Sequence, residues 1–380
     1  MQKMKLQTTA DCPEDDTDWA LGPGSVTWTV LKDPAVFIVG LLREALLLAL
    51  HPPFAAAAVD HDSFSDDPVM RFKRVAIYTY AATYGSKADA ERVSAMVRRS
   101  HARIVGIEPL TLLPYRADSE YELALTQAML GASFLAAYEQ LRGDLPTAKR
   151  DQFVLEQKLP GALIGVNPAH LPSSYGELVD FLGRARMRFA TGLQAREIIG
   201  PFATKAFPKG TVLGDLPFFR GRSAVWAARA VADMAILTMS SEERELLAIS
   251  RAPRLGSEVA VRRSLHLLSA YLRSEKGMAA FGDFLGSGTF KLFMRALKAD
   301  AAPGSRTRVA AFHVPDPMPC FHKLADLVEN WPGTVGAYVL GRQHEPFSAS
   351  HTTVPDDSGV KTPYEMLPAD LTIQAIESVS

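Results

Sequence analysis

The chain has 380 residues, 47% apolar and 22% charged, which is enough to bury a core of its own and too apolar for a disordered or collagen-like chain. Its 41 basic and 42 acidic residues leave a net charge of −1, so the whole protein offers no electrostatic attraction to nucleic acid or acidic lipid, although a local patch stays open. The two cysteines, Cys12 and Cys320, lie far from any C-x-x-C spacing, which excludes a disulfide framework and a cysteine zinc site and points to a cytoplasmic-type soluble protein.

Residues 1–18 are acidic, with Asp11, Glu14, Asp15, Asp16 and Asp18, and are expected to be a mobile terminus rather than a signal peptide, which needs a basic start and an apolar run. Ser25 caps a short helix through Trp28 and Leu31. Asp33-Pro34 opens the next helix, to about Leu50, where His51-Pro52-Pro53 breaks it. The apolar stretch Ala35–Val59 is interrupted by Arg43 and Glu44, and its pieces are too short to span ~30 Å of hydrocarbon, so it reads as a buried core helix and not a membrane span. Asp67-Pro68 starts a helix to Tyr84, and Ser86 caps another from Lys87 to about Val105, closed by Gly106. Asp118 caps a helix over about Ser119 to Arg142, with Leu123, Leu130, Phe134 and Tyr138 at helical spacing. Further helices are expected at 148–159, 174–204, 219–238, 241–250, 257–275 and 277–299. Val335–Leu340 is the best strand candidate, inside a Pro-, Gly- and Ser-rich region after Ala301. The expected class is all-α: one large multi-helix domain over 19–300 with an irregular C-terminal extension, 301–380.

Chemistry-bearing motifs are sparse. No H-E-x-x-H, E-x-x-H, G-x-S-x-G, P-loop or G-x-G-x-x-G occurs, so hydrolase, NTPase and dinucleotide readings have no support. Two helix faces stand out instead. His101 shares a face with Val97, Arg98, Ile104 and Val105, and an imidazole among apolar residues and one arginine suits a ligand to haem, which has an apolar body and anionic edges. Arg71, Arg74, Val75 and Tyr78 stand at i, i+3, i+4 and i+7; two inward arginines need anionic partners, which haem propionates supply. Plainer readings stand beside these: His101 as a hydrogen-bonded core or surface residue, Arg71 and Arg74 as surface ion-pair residues, His51 as a cation at a helix C-terminus, and His61, between Asp60 and Asp62, in a solvated loop.

The order of several short segments carries more. They are Gly22-Pro23-Gly24-Ser25-Val26-Thr27-Trp28, Leu50-His51-Pro52, Asp60-His61-Asp62-Ser63-Phe64 and Asp67-Pro68-Val69-Met70-Arg71-Phe72-Lys73-Arg74. Tyr84-Gly85-Ser86, Val97-Arg98-Arg99-Ser100-His101, Pro114-Tyr115-Arg116-Ala117-Asp118 and Ser133-Phe134-Leu135-Ala136-Ala137-Tyr138 continue the series, followed by the Asp151…Glu156 pair and Leu171-Pro172. Over about residues 19–185 the chain resembles the haem-dependent oxygenases typified by latex clearing protein (rubber oxygenase) and MpaB.

The resemblance implies a b-type haem oxygenase acting with O₂ on a small apolar substrate, isoprenoid, lipid-like or a secondary metabolite. It implies His101 as the proximal iron ligand, with Arg98 beside it and Arg71 opening the distal-side motif. Arg74, His61 and Tyr78, in falling order, are the distal polar candidates. The family lysine that can close the sixth iron position is replaced by Arg74, followed by Val75 for threonine; a guanidinium stays charged and cannot ligate iron as an amine does, so an open or water-bound sixth position is expected. A family histidine is replaced by Gln127, in Leu125-Thr126-Gln127, and a family arginine by Val105. Two alternatives stay open: a haem-binding or haem-sensing protein without turnover, and a structural helical protein without cofactor.

Overall fold

Side-chain caps set where the helices start. In the computed structural model, which describes residues 18–62, 68–203, 231–247 and 255–300, Ser25 Oγ accepts from the Trp28 amide and opens α1 (Val26–Leu31). Asp33 caps the Ala35 amide and opens α2 (Pro34–Leu48), with proline at the first helical position. Next come α3 (Pro52–Asp62) and α4 (Pro68–Tyr84), then α5 (Lys87–His101), which starts on a Ser86–Asp89 capping box. A two-stranded antiparallel ribbon follows, β1 (Val105–Ile107) and β2 (Pro114–Arg116), and is the one sheet among the described residues. The chain continues with α6 (Glu120–Arg142), α7 (Thr147–Glu156), α8 (Lys158–Ile164), a 3-10 turn at Pro168–His170, α9 (Tyr175–Arg186) and α10 (Leu193–Ala203). After a helical stretch at 231–237 come α11 (Ser241–Leu246), α12 (Leu255–Leu272), α13 (Glu275–Leu285) and α14 (Ser287–Asp300). The fold is all-α.

The centre of the molecule is α2, apolar on nearly every side and buried along its length, as such a helix must be. It lies against α6 so closely that a Cβ on Gly40 would stand 2.4 Å from Cδ1 of Phe134. Phe37 stacks on Tyr80 of α4 at 4.5 Å and on Phe134 at 5.5 Å, and Tyr80 meets Phe281 of α13 and Phe293 of α14. Each such buried aromatic or aliphatic side chain contributes roughly 1.5–3 kcal/mol. Among the described residues no single helix is long and apolar enough to cross a membrane; α2 and 52–61 reach the length only together and bend by 105°.

Several expected elements differ. Pro52-Pro53 ends one helix and starts the next: prolines fit a first turn, whose amides have no intrahelical partner, so His61 sits in α3 and not in a solvated loop. The helix carrying His101 stops there instead of at Val105. Gly106 is a strand residue, small because the Tyr115 ring crosses it; a Cβ there would stand 2.5 Å from the Tyr115 hydroxyl. Ile104 and Val105 therefore do not share a helical face with His101. The expected helix at 148–159 divides into α7 and α8, that at 174–204 into α9 and α10, and that at 277–299 into α13 and α14, where Gly286 has φ +82°. The strand candidate Val335–Leu340, the tail 301–380 and residues 1–17 lie outside the described residues.

Candidate functional site

Only Gly85 and Ser86 join α4 to α5, and the two helices pack on each other. At about 1.5 Å per residue, Arg71 and His101 each lie about 21–22 Å from that joint. Arg71 and Arg74 thus stand in the first half of α4, and Arg98 and His101 in the last turn of α5, each away from the joint. Tyr78 lies about 10 Å nearer the joint.

His101 is the last residue of α5 and half-buried, with Nδ1 shielded from solvent. Arg98, one turn earlier, donates to the Leu163 carbonyl at the end of α8 and pairs with Glu91 at 2.7 Å. It clamps α5 to α8. The Arg71 guanidinium lies 4.8 Å from the centre of the Phe54 ring, and its charge acts on Glu44 of α2. Burial pushes the Glu44 carboxyl up to about 7, and Arg71 opposes that rise. Arg74 is half-buried with Nε shielded from solvent.

Tyr78 is buried, and its hydroxyl faces two acceptors, Gln127 Oε1 at 2.9 Å and the Pro160 carbonyl at 3.0 Å. Burial holds that phenol well above its ordinary range. His61 of α3 meets the strand that follows α5: its Nε2 lies 2.9 Å from the Val105 carbonyl, so that nitrogen carries the proton. Its ring meets Tyr115 edge-on, and Tyr115 donates to Asp60 at 2.9 Å. The α3 end and the ribbon after His101 are thereby fastened together.

Two buried ionisable side chains, Glu44 and His51, join the site residues. In the sequence Glu44 was visible only as an interruption of an apolar run. His51, expected as a cation near exposed carbonyls, is instead buried, with Nε2 2.7 Å from Glu122 Oε2. A crevice lined by Gln127, Gly131, Gln157, Leu171 and Leu178 has a volume of about 10 Å³, room for one water and not for a macrocycle. Among the described residues no group of three or more His, Cys, Asp or Glu could hold a metal ion.

The chain matches a family model described as "ER-bound oxygenase mpaB/B'/Rubber oxygenase, catalytic domain" over residues 28–270. The matched span takes in every candidate residue named above. The class is thus an oxygenase catalytic domain. The chain belongs to the mpaB/rubber oxygenase family. No curated protein matches the chain. No solved structure matches it either.

Proposed function

We propose that the protein is a b-type haem-dependent oxygenase that uses O₂ on a small apolar substrate, with His101 as the residue that would hold the haem iron. The observation that carries this reading is the match to the oxygenase catalytic domain across residues 28–270. The residues of α4 and α5 suit the group. His101 presents a half-buried imidazole with one ring nitrogen out of solvent, and Arg71 and Arg74 bring positive charge from α4 for anionic propionates. Bound there, haem would supply the activation of O₂ that side chains cannot. Arg98 holds the ligand helix against α8 and so fixes the height of His101. Arg74, always protonated, supplies a donor or a propionate partner and no iron ligand. Tyr78, about 10 Å nearer the joint on α4, and His61 of α3 are both donors already committed to acceptors.

A haem-binding protein without turnover is the second reading. It is favoured by Gln127, where the family carries histidine, being locked into a buried hydrogen-bond chain. Oxygen uptake by the haem-loaded chain with small isoprenoid alkenes separates the two. Substrate-dependent uptake supports the oxygenase, and a haem-loaded protein that consumes no O₂ with any of them supports the binding protein.

A further inference from the structure

The crevice beside Gln127 has a volume of about 10 Å³, room for a molecule of one or two heavy atoms, and the surface it presents is almost entirely apolar. Ala128 and Gly131 of α6, Val154 of α7, Leu178 of α9 and Leu171 before α9 line it, and all five are buried. Two amides reach it. Gln127 Oε1 accepts from Tyr78, and its Nε2 donates to Gln157 Oε1 at 3.2 Å. Gln157 Nε2 in turn donates to Thr27 Oγ1 at 2.9 Å and to the Phe153 carbonyl at 3.4 Å. The hydrogen-bonding groups at the crevice are thus mostly taken up by neighbours. A buried water needs about 2–4 polar partners, and an apolar void without them stays dry.

A glycine keeps the space open. Gly131 lies inside α6, where glycine is less stable than alanine. An added Cβ there would stand 3.1 Å from Cγ of Gln157, so a side chain would press on the crevice wall. Gln127 links the crevice to α4: it lines the one and holds the Tyr78 hydroxyl of the other at 2.9 Å, one helical turn from Arg74.

We infer that this crevice is a holding site for one small apolar gas molecule, and that the gas is dioxygen. Dioxygen has two heavy atoms and, like any apolar solute, passes favourably from water into apolar surroundings. A hydrocarbon substrate is too large for about 10 Å³. A molecule held here stands one amide away from α4, the helix that carries Arg71 and Arg74. The choice of dioxygen rests on the oxygenase reading; the room and its apolar lining do not.

The test is methyl-proton relaxation in the full chain equilibrated with dioxygen and then with dinitrogen, since dissolved dioxygen is paramagnetic and the difference cancels what the protein itself contributes. Dioxygen is expected to speed relaxation of the Val154, Leu171 and Leu178 methyls about threefold more than that of the Leu46 and Leu47 methyls, which are buried in α2 away from the crevice. Val154→Ile and Gly131→Ala, which each add one carbon to the wall, should remove that excess. Equal relaxation of the two sets of methyls, an excess unchanged in both variants, or a long-lived water with cross-peaks to the crevice methyls would overturn the proposal. The same excess in a chain that takes up no haem would uphold the gas site while the oxygenase reading fails, so the two are told apart.

Discussion

The hydroxyl of Tyr78 lies 2.9 Å from Oε1 of Gln127, which joins α4 to α6. The chain of donors continues inward: Gln127 Nε2 donates to Gln157 Oε1 at 3.2 Å, and Gln157 Nε2 donates to Thr27 Oγ1 at 2.9 Å. Four elements, α4, α6, the α7–α8 joint and α1, are thus held by one directional path whose members are largely buried. A buried amide left without partners is costly, so this path specifies how the helices seat.

Tyr78→Phe and Gln127→Leu should each lower stability by about 1–3 kcal/mol, because each strands a buried partner. The double variant should cost less than the sum of the two, since one broken link is shared. Urea unfolding of the three variants checks this.

Glu44 gives a pH dependence with a definite sign. Its carboxyl stands at about 7 in the folded protein against an ordinary 4.5, so the native state holds the proton more tightly than the unfolded one. The resulting stabilisation is complete below the unfolded value and is lost as pH rises through the folded one, on the order of 3 kcal/mol in all. Glu44→Gln should flatten the fall in stability between pH 5 and 7 (about the two pKa values), read from thermal unfolding across that range.

Two glycines on buried and open helix faces should respond oppositely. At Gly40 an added Cβ meets both the ring and the Cα of Phe134, at 2.4 and 3.1 Å, so Gly40→Ala should cost about 1–3 kcal/mol. At Gly183 nothing lies within 4 Å of an added Cβ, and Gly183→Ala should stabilise α9 by roughly 0.5–1 kcal/mol. Melting temperatures of the pair distinguish packing from backbone entropy.

The carboxylate of Glu243 closes a buried ionic cluster. It takes Arg186 at 2.7 Å on one oxygen, and Arg43 at 3.5 Å and the Ser240 amide at 2.8 Å on the other. Burial lowers the Arg43 guanidinium, and Glu243 opposes that. Glu243→Gln should therefore destabilise by about 3–5 kcal/mol, leaving Arg43 buried without its counter-charge. Chemical unfolding measures it.

Local punctuation was readable: Ser25, Asp33-Pro34 and Ser86 mark real helix starts, because a cap is a contact within four residues, while α6 is capped by Ser119 and not by the expected Asp118, which Arg116 engages. The end of α5 was not. Whether 102–107 stays helical is decided by Tyr115 crossing Gly106 and by Asp60 holding Tyr115, contacts made across 55 residues of chain or fewer that leave no periodic signal. That Arg71 and Arg74 share one turn of α4, and Arg98 and His101 one turn of α5, was legible, since helical spacing imposes it. The fates of single polar groups were not: His51 found Glu122, and Arg98 found Leu163. Glu44 reads as a charge in the wrong place until α2 is seen to be buried on all sides.

The most direct measurement is the visible absorption spectrum of the full chain purified after haem-supplemented expression, beside that of His101→Ala. A Soret band in the wild type that is lost in a folded His101→Ala protein is the expected result. A colourless wild type, or a variant that keeps full haem occupancy, would contradict the assignment.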